Sequence, residues 1–558
     1  MHKAIWVPAL LLGLVTARPH PASAISHLWS HSFGSTGTQT GNAVATDAAG
    51  NIYVTGSFFN SIDFGGGPLF AVGGGNIFVA KFNSAGTYQW ARRFGHVSPT
   101  NGVLADGEAI ALDTAGNIYL YGVFDGDIDI DGFILGTTGP RDIFLTKLDP
   151  TGEAIWYQHF LSPDYKTCGE MAVDGSGNVF VTGDFSSFIQ IWGTTYPSQG
   201  NNDIFVARFD TNGLNPWVHT FGDASDQRGI GLATDPSGNV FVAGWINGSV
   251  DFGGGLRTSA GLSDVFLAKF NGSGTHLWSA RYGDAGSQYA TALATDASGN
   301  VYMTGANANG VDFGGGLLTS AGSYDVFLAK FNPGGVHQWS AEWGDASTQS
   351  GGRIAVGPLG DVFLGGSFTG AINFGGGLLT SAGLDDAYLV QFNASGVHQW
   401  SARFGDANKY QGISSVAARP TNGCVVTGLF LNTIDFGGGP LTSSDYIDMF
   451  LASFGTLPTG VGDAPARGAL AISSYPNPFN PLTTIRYTVP STGRVVVAVY
   501  DARGARVATL VDAARAAGSY TQAWDGRDDA GRAVSSGVYF ARISHASGSK
   551  SEKIVLLK

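Results

Sequence analysis

The sequence predicts an all-β chain, a seven-bladed β-propeller followed by a C-terminal immunoglobulin-like β-sandwich, and three observations carry that prediction. A tryptophan recurs at Trp29, Trp90, Trp156, Trp217, Trp278, Trp339 and Trp400, at intervals of 61 residues except for one of 66. Glycine supplies 84 of 558 residues and charged residues only 13%, against ordinary values of about 7% and about 25%. Beyond residue 458 the repeat stops, and residues 469–558 read as short strands of a different rhythm.

Each unit has the same internal grammar. Residues 217–338 contain two copies of it, with four strands in each: GLATD or ALATD, NVFVAG or NVYMTG, DVFLAKF, and the tryptophan stretch itself, as in WSARYG. Valine, phenylalanine and tyrosine suit strands, and the glycine, asparagine and aspartate between them mark turns. In Asp235-Pro236-Ser237-Gly238-Asn239 the chain doubles back, and glycine supplies the positive φ of a tight hairpin. Four antiparallel strands repeated around a closed ring make a propeller. A linear β-solenoid is the alternative, but solenoids use shorter periods. The units resemble the SBBP-type β-propeller repeat family, through D-x-x-G-N-[VI]-[YF]-x-x-G and D-[VI]-F-L-A-K-F, across residues 25–458. The resemblance implies a fold and leaves the activity open.

The two ends of the ring are expected to exchange strands. Asp448 to Phe454 has no tryptophan strand after it, and Leu28 to Phe33 begins the chain's repeats without a partner. Pairing them removes two exposed sheet edges, which otherwise invite aggregation.

Residues 1–24 read as a signal peptide. Lys3 supplies the positive start, Ala4 to Val15 the apolar run, and Ala22-Ser23-Ala24 a small-residue site with cleavage after Ala24. No later stretch reaches the roughly 18 apolar residues of a spanning helix. Residues 459–468 read as a linker. The segment after it contains YPNPFNP from Tyr475, WDGRDDAGRAVSSGVYF from Trp524, and a terminal KIVLLK. These motifs resemble the C-terminal sorting domain of the type IX secretion system and the FlgD-type Ig-like module. That resemblance implies export across an outer membrane, with secretion machinery as partner and the domain removed or used for anchoring. An appended sandwich with no such role is the alternative.

Charge excludes one class of partner. Of the net −13, residues 1–24 carry +2 and residues 459–558 carry +5, which leaves −20 on residues 25–458. A body of that sign repels phosphate backbones, so no nucleic-acid partner is expected.

Residues present in every unit are read as structural, because a ligand site breaks symmetry. The aspartates opening the third strand (Asp142, Asp203, Asp264, Asp325, Asp386 and Asp448, with Asn76 in the first unit) are therefore expected to be buried hydrogen-bonding groups. The same holds for Asp63, Asp251, Asp312 and Asp435 in the DFGGG segments. Seven of the nine histidines beyond residue 24 flank repeat tryptophans, His545 lies in the C-terminal module, and only His96 falls in a loop. A histidine general base has little support. Cys168 and Cys424 occupy different positions of their units, so no disulfide is expected. Asp127, Asp129 and Asp131 match the first half of a calcium loop, but Thr138 stands where its final carboxylate belongs. Their alternation with isoleucine also reads as a half-exposed strand. No G-x-S-x-G, H-E-x-x-H or phosphate-binding lysine loop is present.

The expectation is a secreted or cell-surface binding or scaffold protein without a cofactor or metal, with a glycan or another surface protein as partner. The alternative is a propeller enzyme, a lyase or glycan-degrading enzyme. Strand alternation places the connections from fourth to first and from second to third strands on one face. That face carries the insertion within His96 to Glu108 and the symmetry-breaking Tyr165, Lys166 and Trp192, the expected ligand-binding residues.

Overall fold

The structure is a computed structural model, and it describes residues 25–98, 104–164, 166–407, 410–444, 446–456, 471–475, 477, 479, 483–489, 491–515 and 518–557. The chain divides into two compact units between Leu457 and Pro458. The expected signal segment with Ala24, the expected linker and Tyr165 lie outside the described residues.

The first unit holds seven blades of four antiparallel strands, six as four-stranded sheets and the first extended to six strands by the hairpin Asp127–Ile130 with Phe133–Gly136; they are numbered by their inner strands: Gln39–Thr46, Ala105–Leu112, Lys166–Val173, Gln227–Thr234, Gln288–Thr295, Arg353–Val356 and Gln411–Ala418. Each inner strand packs beside the next, and the seventh packs beside the first, so the ring closes around a channel. In blade 4 the order runs outward through Val240–Ile246, Asp264–Phe270 and His276–Tyr282. The third strand is buried along its whole length, which is why DVFLAKF is almost continuously apolar. In blade 7 the outer place is taken by Ser26–Phe33, antiparallel to Asp448–Gly455, with Phe33 opposite Met449. The strand exchange expected from the sequence is present.

The repeat tryptophan is a strap between neighbours. Trp278 lies on the outer strand of blade 4, and its indole N–H donates to the Pro333 carbonyl of blade 5 at 3.1 Å. Its ring rests on Gly335, where φ is +81° and a Cβ would stand 3.0 Å from the indole. Trp156, Trp217 and Trp339 repeat the contact at 3.0–3.1 Å. A residue that must reach the next unit recurs at the period of the unit.

The DxxGN turn is equally built. Asp235 accepts the N–H groups of Ser237 and Asn239, while Lys269 reaches its second oxygen at 2.9 Å across the face of Phe241. The same ammonium donates to Pro333 O of the next blade. The third-strand aspartates are buried as expected, and each accepts the backbone N–H four residues earlier, as Ala260 donates to Asp264 at 2.7 Å.

One element was not legible as structure. Between second and third strands every blade carries a two-stranded hairpin, such as Ser249–Asp251 with Leu256–Thr258, where the sequence suggested only a loop. Phe252 of this hairpin wedges between Phe221 of blade 3 and Phe266 of its own blade, at 5.1 and 4.7 Å between ring centroids. Its Asp251 accepts from Gly253 and Gly255, closing the glycine turn, but it is exposed, as are Asp63, Asp312 and Asp435, against the expectation of burial. Blades are thus clamped forward by tryptophan and backward by phenylalanine.

The second unit contains a three-stranded sheet (Ala471–Tyr475, Thr483–Val489, Gly518–Trp524) and a four-stranded one (Gly493–Asp501, Arg506–Arg515, Gly537–His545, Gly548–Leu556) around a common core. Its motifs are structural devices. Phe479 of YPNPFNP packs on Trp524 at 5.4 Å, and Asn477 bonds Lys553 O and Val555 N of the last strand. The described residues contain no helix long and apolar enough to cross a membrane.

Candidate functional site in the central channel

A one-residue bulge interrupts the inner strands at the same place in blades 1, 2, 4, 5 and 7. A bulged residue has no partner in the ladder and is re-aimed; Asn42, Glu108 and Ser414 thereby line the channel. Counted in register from Gln39 and its equivalents (Gln349 in blade 6, ahead of the strand there), the fourth position is Asn42, Glu108, Gly169, Ile230, Thr291, Gly352 and Ser414 in turn, and the fifth includes Glu170 and Arg353. These positions break the repeat.

Glu170 of blade 3 spans the channel. One carboxylate oxygen accepts Arg353 Nη1 of blade 6 at 2.9 Å, and the other accepts Leu232 N–H of blade 4 at 3.0 Å. Arg353 also donates to Thr291 O of blade 5. Four blades are tied by one ion pair. Burial raises the Glu170 carboxyl above its ordinary range, and the Arg353 guanidinium pulls it back.

Toward the face of the fourth-to-first connections stands a second group. Asn42 Nδ2 donates to Asp106 Oδ1 at 2.6 Å and to Gly107 O, joining blades 1 and 2. Burial lifts the Asp106 carboxyl well above the usual range, with Glu108 adding to the effect. Glu108 is exposed to the channel yet ringed by protein, which raises its carboxyl too, against the pull of Arg353 and Arg141. Asp184 is nearby in the blade 3 rim, held by the Thr167 hydroxyl and by Arg228 at 3.6 Å.

The residues singled out from the sequence do not converge. Lys166 is fully enclosed, and its ammonium bonds Asp142 Oδ1 at 2.5 Å and Arg141 O at 2.7 Å. Trp192 sits with Gly193 at the tip of the hairpin Phe188–Ile191 and Thr194–Pro197, where its φ is +50° and 53% of its surface is exposed. That left-handed conformation costs a tryptophan roughly 1–2 kcal/mol. His96 is buried at the end of the Tyr88–His96 strand. Asp127 to Ile130 forms a hairpin strand with Ile128 and Ile130 inward, Asp129 and Asp131 bond Gly132 N and Ala154 N, and among the described residues no metal-type cluster occurs. Cys168 and Cys424 are both free.

A further break lies at the periphery. The third-strand aspartates of blades 4 and 6 meet Arg281 and Arg403 from their outer strands, but Asp325 of blade 5 meets Glu342. Burial, with Asp325 adding to it, pushes the Glu342 carboxyl up to about 7, while its bond from Asn307 works against the shift. A carboxyl raised on folding stabilises fully below the unfolded value near 4.5 and loses that contribution as pH rises through 7. Glu342→Gln is therefore expected to raise stability at pH 8 by about 1–2 kcal/mol, after discounting for its partial exposure, and to change it little at pH 4. Urea unfolding at both pH values checks this; an equal effect at both would contradict it.

Comparison with known proteins agrees with the architecture. The SBBP β-propeller repeat model matches residues 28–57 and 217–250, and the FlgD Ig-like domain model matches residues 482–549. The chain is an all-β protein of SBBP-type propeller repeats with a FlgD Ig-like domain. It is similar to the uncharacterized WD repeat-containing protein L264 of Acanthamoeba polyphaga mimivirus, 21% identical over 72% of this chain and 36% of that one. It is also similar to the regulatory protein FlaEY of Caulobacter vibrioides, 25% identical over 52% of this chain and 30% of that one. The chain spans about a third of the length of these curated relatives. The structure of PorZ, a bacterial surface component of the type IX secretion system of Porphyromonas gingivalis, aligns over 95% of this chain and all of its own, at 12% identity and a TM-score of 0.19, which carries no argument about function.

Proposed function

We propose that the chain is a secreted or cell-surface binding protein, non-catalytic, whose propeller holds a glycan or surface-protein partner on the face of the fourth-to-first connections. The C-terminal module serves export or attachment. One observation carries the reading: the repeated polar residues are consumed by the frame, while Glu108, Glu170 and Arg353, which no other blade repeats, gather at the channel. Long connections on a rigid scaffold are where binding residues concentrate. The export role rests on the sequence resemblance of YPNPFNP, WDGRDDAG and KIVLLK. A chain truncated after Leu457 is expected to fold and to remain inside the outer membrane of its native host, assayed by cell fractionation. Its normal appearance outside the cell would remove the export role.

A second reading, an enzyme acting on glycans, is favoured by the two raised carboxyls Asp106 and Glu108, since acid–base catalysis uses paired groups of different pKa. Asp106 is already engaged by Asn42, which leaves Glu108 as the carboxylate open to a ligand. Released reducing ends in the binding assay would favour the enzyme.

A further inference from the structure

Between the Glu170–Arg353 bridge and the face of the fourth-to-first connections the channel widens into a chamber of about 320 Å³. Its chemistry is carried by Asn42, Glu108, Ser350, Arg353, Ser367 and Ser414. Small-ligand pockets start at roughly 300 Å³. A smaller space of about 180 Å³ continues inward past the bridge.

The wall is open on the blade 6 side because that inner strand is reduced to Arg353–Val356, preceded by Gly351 and Gly352. A Cβ on Gly352 would stand 1.7 Å from Gly365 O, so the backbone here runs against the neighbouring strand too closely to carry a side chain.

The functional groups are poised and uncommitted. Among the described residues the Ser350, Ser367 and Ser414 hydroxyls and the Glu108 carboxylate make no hydrogen bond to protein, and Arg353 uses only Nη1. The chamber thus offers a carboxylate that accepts, a guanidinium edge that donates, and three hydroxyls that do either. Arg353 is already neutralised by Glu170, so no excess positive charge invites an anion. A strongly cationic ligand would leave the serines and the guanidinium edge unmatched. What matches all of them is a run of vicinal hydroxyls on a neutral ring.

Resting on the binding reading above, we infer that this chamber is a site for one neutral sugar residue, the end of a glycan entering from the face of the fourth-to-first connections, with Glu108 accepting from two adjacent hydroxyls and Arg353 and the serines completing the shell. No aromatic side chain is among the residues lining the chamber, so no ring stacking adds to the hydrogen bonds and affinity is modest.

The test uses the full chain with glucose, galactose, mannose, N-acetylglucosamine, glucosamine and glucuronic acid, by saturation-transfer NMR and calorimetry, alongside a glycan array. Variants are Glu108→Gln, the pair Ser367→Ala with Ser414→Ala, and Trp192→Ala, each with its melting curve. The expected result is saturable binding of at least one neutral sugar, weakened about tenfold or more by Glu108→Gln and by the serine pair, and changed less than about twofold by Trp192→Ala. Binding confined to glucosamine or glucuronic acid overturns the ligand class. Binding lost in Trp192→Ala but retained in Glu108→Gln overturns the chamber and keeps the glycan-binding reading, moved to the hairpin. Silence toward every sugar and the whole array removes both.

Discussion

A chain lacking Ser26–Phe33 is expected to lose the cooperative unfolding of its propeller. Those eight residues form the outer strand of blade 7, and without them Asp448–Gly455, buried at every position, becomes an open sheet edge. The loss includes the ladder bonds and the burial of Phe33, which packs on Phe64 and Phe82 of blade 1. An apolar side chain of that size contributes about 1.5–3 kcal/mol by burial alone. The Trp29 strap over Gly86 of blade 1 goes with it. Together these approach the whole stability of an ordinary domain, about 5–15 kcal/mol. The ring would open at one joint and expose strands that pair with other chains. Scanning calorimetry and light scattering check this; a melting temperature within about two degrees of the parent would rule out the closure as a source of stability.

Lys166→Ala is expected to destabilise the propeller by about 3–5 kcal/mol, because it strands the fully buried Asp142 carboxylate. The neighbourhood predicts its own rescue. Gln39, Gln227, Gln288, Gln349 and Gln411 stand at the matching position, all buried. In blades 4 and 6 the aspartate receives a cation from the outer strand, Asp264 from Arg281 and Asp386 from Arg403. Blade 2 has His159 there, at 2.9 Å, and the second cation comes from Lys166 in the next blade. Lys166→Gln is therefore expected to recover most of the loss, with His159 still bonded to Asp142. Denaturant unfolding of both variants decides it: a cost below about 1 kcal/mol for Lys166→Ala would mean the pair holds nothing together.

The Lys166 pair also shows where sequence reading reaches its edge. The seven-unit ring, its strand exchange and the burial of the third-strand aspartates were legible, because each depends on a residue that must recur for geometric reasons. Trp278 and its equivalents recur since each seats on the following unit's turn. The hairpins were not legible: V-D-F-G-G-G reads as turn chemistry, and only packing shows that Phe252 is a wedge. Lys166 broke the repeat and so looked functional, yet it answers another break at His159. A pair of departures that compensate each other cannot be told from a site until their contact is seen. The channel cluster was missed for the opposite reason. Glu108, Glu170 and Arg353 lie 62 and 183 residues apart along the chain, counted from Glu170. Aligning the seven inner strands on their DxxGN turns and reading the fourth and fifth positions would have found them.

That alignment has a consequence for how such a ring changes over generations. Tryptophan strap, phenylalanine wedge and turn aspartate bind each unit only to its immediate neighbours, whereas the bulged residue at the fourth position belongs to no ladder. A substitution there alters what the channel presents while leaving the tryptophan straps and phenylalanine wedges in place, at most removing a side-chain bond such as Asn42 to Asp106. Mutational tolerance and ligand recognition thus occupy separate residues of the same 61-residue unit. Such a lineage can respecify its ligand while its architecture stands still.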